Sequence, residues 1–441
     1  MKRFSKLFLV ACLAFGLFAC APKEKGSSTI KGTYAIHVDG YDWGAGVSKA
    51  TITLDYALDV VSEKDFIVQE TKQATDFTDP TFPIKEVTVD RSVTKAYLTD
   101  DKGQPTTNPS KVVTLELAVS PNDGSPLLYS MGTGYNTWSD PYFLTITLNK
   151  DATLKSIGEE VKEFTVDTAF TKKTTAADSF KTSTFKATDG VEYKYAAYTP
   201  EEKSETLFVW LHGMGEGGTM KETDAYIPLL ANKATAYASE NFQKTVGNAH
   251  VLVPQCPTFW MDSKGDGGRS ALVENDGTSF YSQSLKELID SYKKEVGATK
   301  VVLAGCSNGG YMTLRMAIDH PTEFAAIVPI CEALKDSFIT DEELKGIKDL
   351  PMYFIYSKDD ATVKPEEYEI PTIKRLKDLG ATNLHVSATD SVIDTSGTYK
   401  TPEGQPYQYN GHWSWIYFDN NESKCDECNK DSWSWIAENL K

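Results

Sequence analysis

The chain has 441 residues, more than one ordinary hydrophobic core accommodates, which points to two domains. Hydrophobic residues make up 40% and charged residues 24%, the composition of a folded globular protein rather than a disordered or collagen-like one. A formal net charge of -17 repels nucleic-acid phosphates and anionic lipid headgroups, so nucleic-acid binding is set aside and the charge is read as a solubility feature.

At the N-terminus, Lys2, Arg3 and Lys6 form a basic start with no acidic partner. Leu7–Ala19 is almost wholly apolar, and its thirteen residues are too few to span a bilayer comfortably. Residues 1–19 therefore read as an export signal. The text Leu17-Phe18-Ala19-Cys20 resembles the lipobox of bacterial lipoproteins, in which cleavage exposes a cysteine that is then lipidated. The resemblance implies a lipid on Cys20 and a protein anchored outside the cytoplasmic membrane or in the cell envelope. Residues 20–28 are polar and without periodicity, as expected of a tether.

From about residue 29 to 170 no helical periodicity is present. Short runs rich in β-branched and aromatic residues (Thr33–Val38, Ala50–Tyr56, Ile84–Val89, Lys111–Val119, Tyr142–Leu148) alternate with turn-forming stretches such as Pro121-Asn122-Asp123-Gly124. This spacing predicts a β-sandwich. Its only histidine, His37, lies in a strand-like run and is read as structural.

Residues 180–441 read differently. Thr206–Leu211, His250–Pro254, Val301–Gly305, Pro351–Tyr356 and Asn383–Ala388 are short apolar runs of the kind buried on both faces of a parallel sheet. Ser279–Val296, Gly309–His320, Glu366–Leu379 and Ser432–Leu440 have helical patterns, the first stopped by Gly297 and the second by Pro321. Strands alternating with helices predict an α/β domain with a mostly parallel sheet.

The sharpest chemical signal is Gly305-Cys306-Ser307-Asn308-Gly309-Gly310, between a buried strand and a helix. A serine hydroxyl is a weak nucleophile unless it is exposed and paired with a base. A tight strand-to-helix turn lifts it above the sheet and requires small residues two before and two after it. Ser307 is the expected nucleophile. Leu211-His212-Gly213-Met214-Gly215-Glu216-Gly217-Gly218 follows a buried strand, and a loop there supplies N–H donors to an oxyanion. The expected donors are the backbone N–H groups of Asn308 and Met214, with His212 a structural residue of the loop. A phosphate loop is rejected because no Walker lysine-serine pair follows.

Where the serine sits on a strand-to-helix elbow of this type the chain order is serine, acid, histidine, which places the base downstream of the nucleophile. His320 ends the elbow helix and His385 sits inside a strand, which leaves His412 in Asn410-Gly411-His412-Trp413. The acid should follow the strand Pro351–Tyr356, where Asp359 and Asp360 stand side by side. Adjacent residues on an extended turn point in roughly opposite directions, so only one of the two can reach the histidine.

The segments LHGMGEGG, PQCPTFWM, GCSNGGYM, PICEA and NGHWSW make the C-terminal half similar to the α/β-hydrolase superfamily, in its esterase and prolyl-oligopeptidase-like branch. The whole layout resembles secreted esterases with an Ig-like domain ahead of the hydrolase domain. The resemblance implies cleavage of carboxylic esters through an acyl-enzyme, on small-molecule or polysaccharide-linked substrates, without a cofactor. It also implies Asp360 as the acid, since in related hydrolases the aspartate is followed three residues on by valine and then by a proline-containing turn, as Val363 and Pro365 stand here. Two other readings stand beside it. One is a serine peptidase of the prolyl-oligopeptidase type, with Glu216 or Glu332 holding a substrate amine. The other is a lipid-anchored binding protein with an inactive hydrolase domain. Phe259, Trp260, Trp413 and Trp415 are read equally as pocket lining or core. Cys425-Asp426-Glu427-Cys428 is a lone C-x-x-C without the second pair that a zinc site needs, so a local disulfide or free thiols is expected there and no metal.

Overall fold

The computed structural model describes residues 25–219, 223–268 and 275–441. The export-signal and Cys20 expectations fall on residues 1–24, outside the described residues.

The N-terminal domain is built from strands β1 (Thr29–Tyr41), β2 (Gly44–Leu58), β3 (Phe66–Thr75), β4 (Ile84–Arg91), β5 (Val93–Thr99), β6 (Ser110–Leu117), β7 (Leu127–Ser130), β8 (Tyr135–Trp138) and β9 (Tyr142–Leu148). Four short strands follow, β10 (Lys155–Ser156), β11 (Glu159–Glu160), β12 (Glu163–Val166) and β13 (Lys172–Thr175). One sheet runs β12-β1-β2-β6-β5 with β13 also on β1, and a second runs β4-β3-β9. Period-two patterning fixes which residues face inward. Tyr34, Ile36 and Val38 of β1 and Val113 and Leu115 of β6 are buried on one side of the core, Val68, Leu144 and Ile146 on the other. The Tyr34 hydroxyl joins the layers: it accepts the Leu144 N–H (2.7 Å) and donates to the Thr168 carbonyl (2.8 Å). The buried Arg91 pairs with the equally buried Glu70 and donates to the carbonyls of Val47 (2.9 Å) and Ala118 (2.7 Å). A guanidinium away from water requires this many acceptors.

The C-terminal domain is an eight-stranded sheet, β14 (Lys181–Lys186), β15 (Glu192–Tyr198), β16 (Thr206–Leu211), β17 (His250–Gln255), β18 (Lys300–Cys306), β19 (Ala326–Ile330), β20 (Met352–Ser357) and β21 (Leu384–Thr389), in the order β14-β15-β17-β16-β18-β19-β20-β21. β14 and β15 join antiparallel, and every pairing from β17 to β21 is parallel.

Both faces are covered, which is why the strands read as continuous apolar runs. Leu207, Val209 and Leu211 of β16 pack with helices Ser282–Val296, Asn308–Asp319 and Glu369–Asp378. Phe208 and Trp210, on the opposite face, pack with helices Tyr226–Ala231, Glu240–Val246, Trp415–Asp419 and Ser432–Asn439. That second layer is continuous with the core of the N-terminal domain.

Polar contacts fasten the two domains. Lys233 bonds Asp42 (2.6 Å), Trp138 Nε1 donates to Asp224 (2.6 Å), and Trp43 meets the Tyr399 ring edge-on at 4.6 Å. The predicted β-sandwich and parallel α/β layers are both present. β3, β5, β7, β8, β10 to β15 and β19 are strands that the sequence pattern did not single out.

Candidate active site

Ser307 stands between the end of β18 and the first residue of helix Asn308–Asp319. Its backbone has φ 54° and ψ −115°, a conformation that a residue with a side chain adopts only when its surroundings impose it. Those surroundings are fixed: the Ser307 N–H donates to the Ile330 carbonyl (2.8 Å) and its own carbonyl accepts from Tyr311 (2.8 Å). The flanking glycines are obligatory. A Cβ on Gly305 would lie 2.6 Å from the Gly309 carbonyl oxygen, and one on Gly309 would lie 1.9 Å from the Leu211 carbonyl oxygen. Gly310 is also enclosed, with the Ile330 carbonyl oxygen 2.6 Å from where its Cβ would be. The elbow is wedged between β16 and β19 by backbone on every side, and Ser307 itself remains only partly buried.

His412 arrives on a single 3-10 turn, Gly411–Trp413, capped by Asn410, whose side chain accepts the His412 N–H (2.9 Å). Its Nε2 lies 2.8 Å from Ser307 Oγ and its Nδ1 2.7 Å from Asp360 Oδ2. Asp360 follows β20 and is almost fully buried. Its Oδ1 accepts the N–H groups of Thr362 (2.8 Å) and Val363 (2.9 Å). Two backbone donors thus fix the carboxylate and leave Oδ2 for the imidazole. The neighbouring Asp359 points the other way and is exposed; it accepts from Ser357 Oγ (2.5 Å) and Gln408 Nε2 (3.3 Å). The His412 loop passes directly over it, and a Cβ on Gly411 would lie 2.2 Å from Asp359 Oδ1. The two aspartates are thereby separated, Asp360 on the imidazole and Asp359 on Ser357 and Gln408.

Met214 opens a 3-10 turn, Met214–Glu216, after β16. Asn308 is the first residue of its helix, where an N–H has no intrahelical acceptor. The Asn308 side chain faces away and accepts the Trp260 N–H (2.5 Å). His212 lies beneath the loop, wholly buried. Its Nδ1 donates to the Gly213 carbonyl (2.6 Å) and its Nε2 accepts the Cys256 N–H (2.9 Å). Burial holds this ring down to a pKa of about 4, so it stays neutral and keeps both bonds at neutral pH.

Sequence reasoning missed the support for this loop. The Glu216 carboxyl is buried beneath it, receives Asn136 Nδ2 of the N-terminal domain at 3.0 Å, and is pushed up to about 7 by burial, against hydrogen bonds from Asn136 and Asn232 that pull it down. Tyr135, from the same β7–β8 hairpin, packs with Phe259, Met214 and Met261. A cleft of about 290 Å³ beside the hairpin, lined by Asn136, Trp138, Lys194 and Gln255 among others, includes none of Ser307, His412 and Asp360 in its lining. No local pattern in 127–138 announces contact with a loop eighty residues away.

Phe259 and Trp260 are core residues, Trp260 against the rings of His212 and Tyr193. Trp415 stands edge-on to His412 at 5.9 Å, and Trp413 is partly exposed beside it.

A serine on a strained elbow, within reach of a buried histidine-aspartate pair at the C-terminal ends of parallel strands, defines an α/β-hydrolase, here preceded by an Ig-like domain. Residues 33–163 match the family model of the esterase Ig-like N-terminal domain, and residues 194–387 match that of the phospholipase/carboxylesterase family. The C-terminal domain thus carries the esterase/carboxylesterase-type hydrolase match and the N-terminal domain the match to the Ig-like domain of esterases, which supports an enzyme of the hydrolase class. No curated protein matches the chain. Among solved structures, that of a thermostable esterase is 23% identical, covers 88% of this chain and 96% of its own, and superposes with a TM-score of 0.66. A ferulic acid esterase (11% identity, 48% of this chain, 90% of its own, TM-score 0.35) and Est1E from Butyrivibrio proteoclasticus (15% identity, 47% and 87%, TM-score 0.32) match about half of the chain.

Proposed function

We propose that the protein is a serine esterase that cleaves small carboxylic esters through an acyl-enzyme on Ser307. The observation that carries this reading is the unbroken relay Ser307 Oγ–His412 Nε2 at 2.8 Å and His412 Nδ1–Asp360 Oδ2 at 2.7 Å. Ser307 Oγ attacks the ester carbonyl while His412 Nε2 takes its proton. Asp360 holds the Nδ1–H tautomer and stabilises the imidazolium. The N–H groups of Asn308 and Met214 receive the oxyanion. His412 returns the proton to the departing alcohol, and water then releases the acid by the same steps in reverse order of partners.

The peptidase reading finds no support at its two named acids. Glu216 lies beneath the oxyanion loop, and Glu332 is wholly buried and pushed up to about 8 by that burial, so neither offers a solvent-facing carboxylate to an amine. We further propose a lipid anchor at Cys20, leaving the hydrolase outside the cytoplasmic membrane.

The test is hydrolysis of p-nitrophenyl acetate and butyrate beside a panel of peptide naphthylamides, together with labelling by a serine-directed phosphonate. Ester turnover, label on Ser307 alone, and a loss of about 10³-fold or more in Ser307→Ala are expected. Amide turnover rivalling that of the esters, or most activity surviving in Ser307→Ala, overturns the reading.

A further inference from the structure

Two cysteines in a lone C-x-x-C supply half of a tetrahedral metal site. The fold supplies a third ligand that sequence spacing does not reveal. His385, on the edge strand β21, turns Nδ1 toward the turn that carries both cysteines, 3.3 Å from Cys425 Sγ and 3.4 Å from Cys428 Sγ. All three ligand atoms lie within 4.8 Å of one another. A tetrahedral zinc ion with Zn–S of about 2.3 Å and Zn–N of about 2.0 Å sets sulfur and nitrogen roughly 3.5 Å apart, close to the observed spacing.

The surroundings hold these three side chains in place. The turn is closed by Cys425 N–H to the Lys430 carbonyl (2.9 Å) and Asn429 N–H to the Cys425 carbonyl (2.7 Å), with Asn429 in the left-handed region at φ 55°. Within it the Cys428 N–H points at Cys425 Sγ (3.4 Å), a donor that favours thiolate over thiol. The His385 ring lies nearly parallel to Tyr353 at 5.8 Å and edge-on to Trp435 at 5.8 Å, so its direction is fixed before any ligand arrives. Both thiols are free, Cys425 buried and Cys428 exposed, so one corner of the site faces solvent. A disulfide would need the two sulfurs about 2 Å apart and gives no reason for an imidazole nitrogen to face both of them.

We propose that His385, Cys425 and Cys428 bind one Zn²⁺, with water at the fourth corner. Binding replaces the two thiol protons by the metal and releases them to solvent. The ion would clasp β21, the last strand of the sheet, to the turn that leads into the C-terminal helix. That edge is already half covered, since Asp426 N–H bonds the Val386 carbonyl (2.8 Å) and the Asp426 carboxylate accepts the Ala388 N–H (3.2 Å). The clasp completes the protection of an exposed sheet edge.

The test uses the chain from residue 25 onward without affinity-tag histidines, fully reduced, titrated anaerobically with Co²⁺ and then Zn²⁺. The expected result is a single Co²⁺ with the intense visible bands of a tetrahedral thiolate site, displaced by stoichiometric Zn²⁺. His385→Ala should weaken binding by more than the roughly 10–100-fold lost with a supporting hydrogen bond. In the exposed-thiol variant Cys428→Ser, which leaves the core untouched, the zinc-dependent rise in thermal midpoint should vanish while ester hydrolysis persists. Absence of the thiolate bands in the reduced protein overturns the proposal. So does full Co²⁺ affinity in His385→Ala, or a thermal midpoint indifferent to zinc in the wild type.

Discussion

Replacing Asp360 by asparagine should be far more damaging than the same change at Asp359, although the two residues are adjacent. In the native site Asp360 Oδ1 accepts two backbone N–H groups and Oδ2 accepts His412 Nδ1–H. An asparagine that keeps its oxygen toward Thr362 and Val363 presents an NH₂ to Nδ1. The imidazole must then carry its proton on Nε2, where it can no longer accept one from Ser307. An asparagine flipped the other way sets its NH₂ against two N–H donors. Either arrangement loses the working tautomer, and the expected loss in kcat is up to ~10⁴-fold, about 5.5 kcal/mol in the barrier. Asp359 hydrogen-bonds Ser357 and Gln408 and makes no hydrogen bond to the imidazole, so Asp359→Asn should cost less than about tenfold. The assay is kcat on p-nitrophenyl butyrate, with circular dichroism to show that both variants are folded. A larger loss at Asp359 would refute the assignment and the spacing argument behind it.

Gly309→Ala should lower both stability, by at least about 1–3 kcal/mol in urea unfolding, and activity, because the new methyl meets the backbone of Leu211 at 1.9 Å and must push the elbow off β16; a stable, fully active variant would contradict this. Glu216→Gln should change the pH dependence of stability. Burial raises this carboxyl from 4.5 to about 7, so the folded state keeps a proton that the unfolded chain has lost; its contribution is complete below about pH 4.5 and disappears as pH rises through about 7, by about 3 kcal/mol in all. The glutamine variant should therefore match the wild type near pH 5 and gain on it near pH 8, and parallel urea-unfolding curves at the two values would exclude the effect. Expressed from Met1, the wild type should partition into detergent and Cys20→Ser should not; identical partitioning would rule out the proposed lipid anchor.

Local sequence was sufficient wherever one short segment meets its physical requirement by itself. The runs Thr206–Leu211 and Val301–Gly305 announce strands buried on both faces, and Gly305-x-Ser307-x-Gly309 announces an elbow because backbone crowding leaves room for no side chain there. That only one of Asp359 and Asp360 can face the histidine follows from their adjacency. The expectation of Asp360 rested on the spacing to Val363 and Pro365, and the structure places Asp360 Oδ2 2.7 Å from His412 Nδ1. The tertiary structure alone decided what depends on elements far apart in the chain. Asn136 reaches Glu216 across the domain boundary, and His385 meets Cys425 and Cys428 from another part of the sheet. In each case the partners are separated by tens of residues, and neither segment carries a periodicity that refers to the other. Hydrophobic pattern specifies which face of an element is buried, but which polar groups then face one another is set by how the sheets and layers stack.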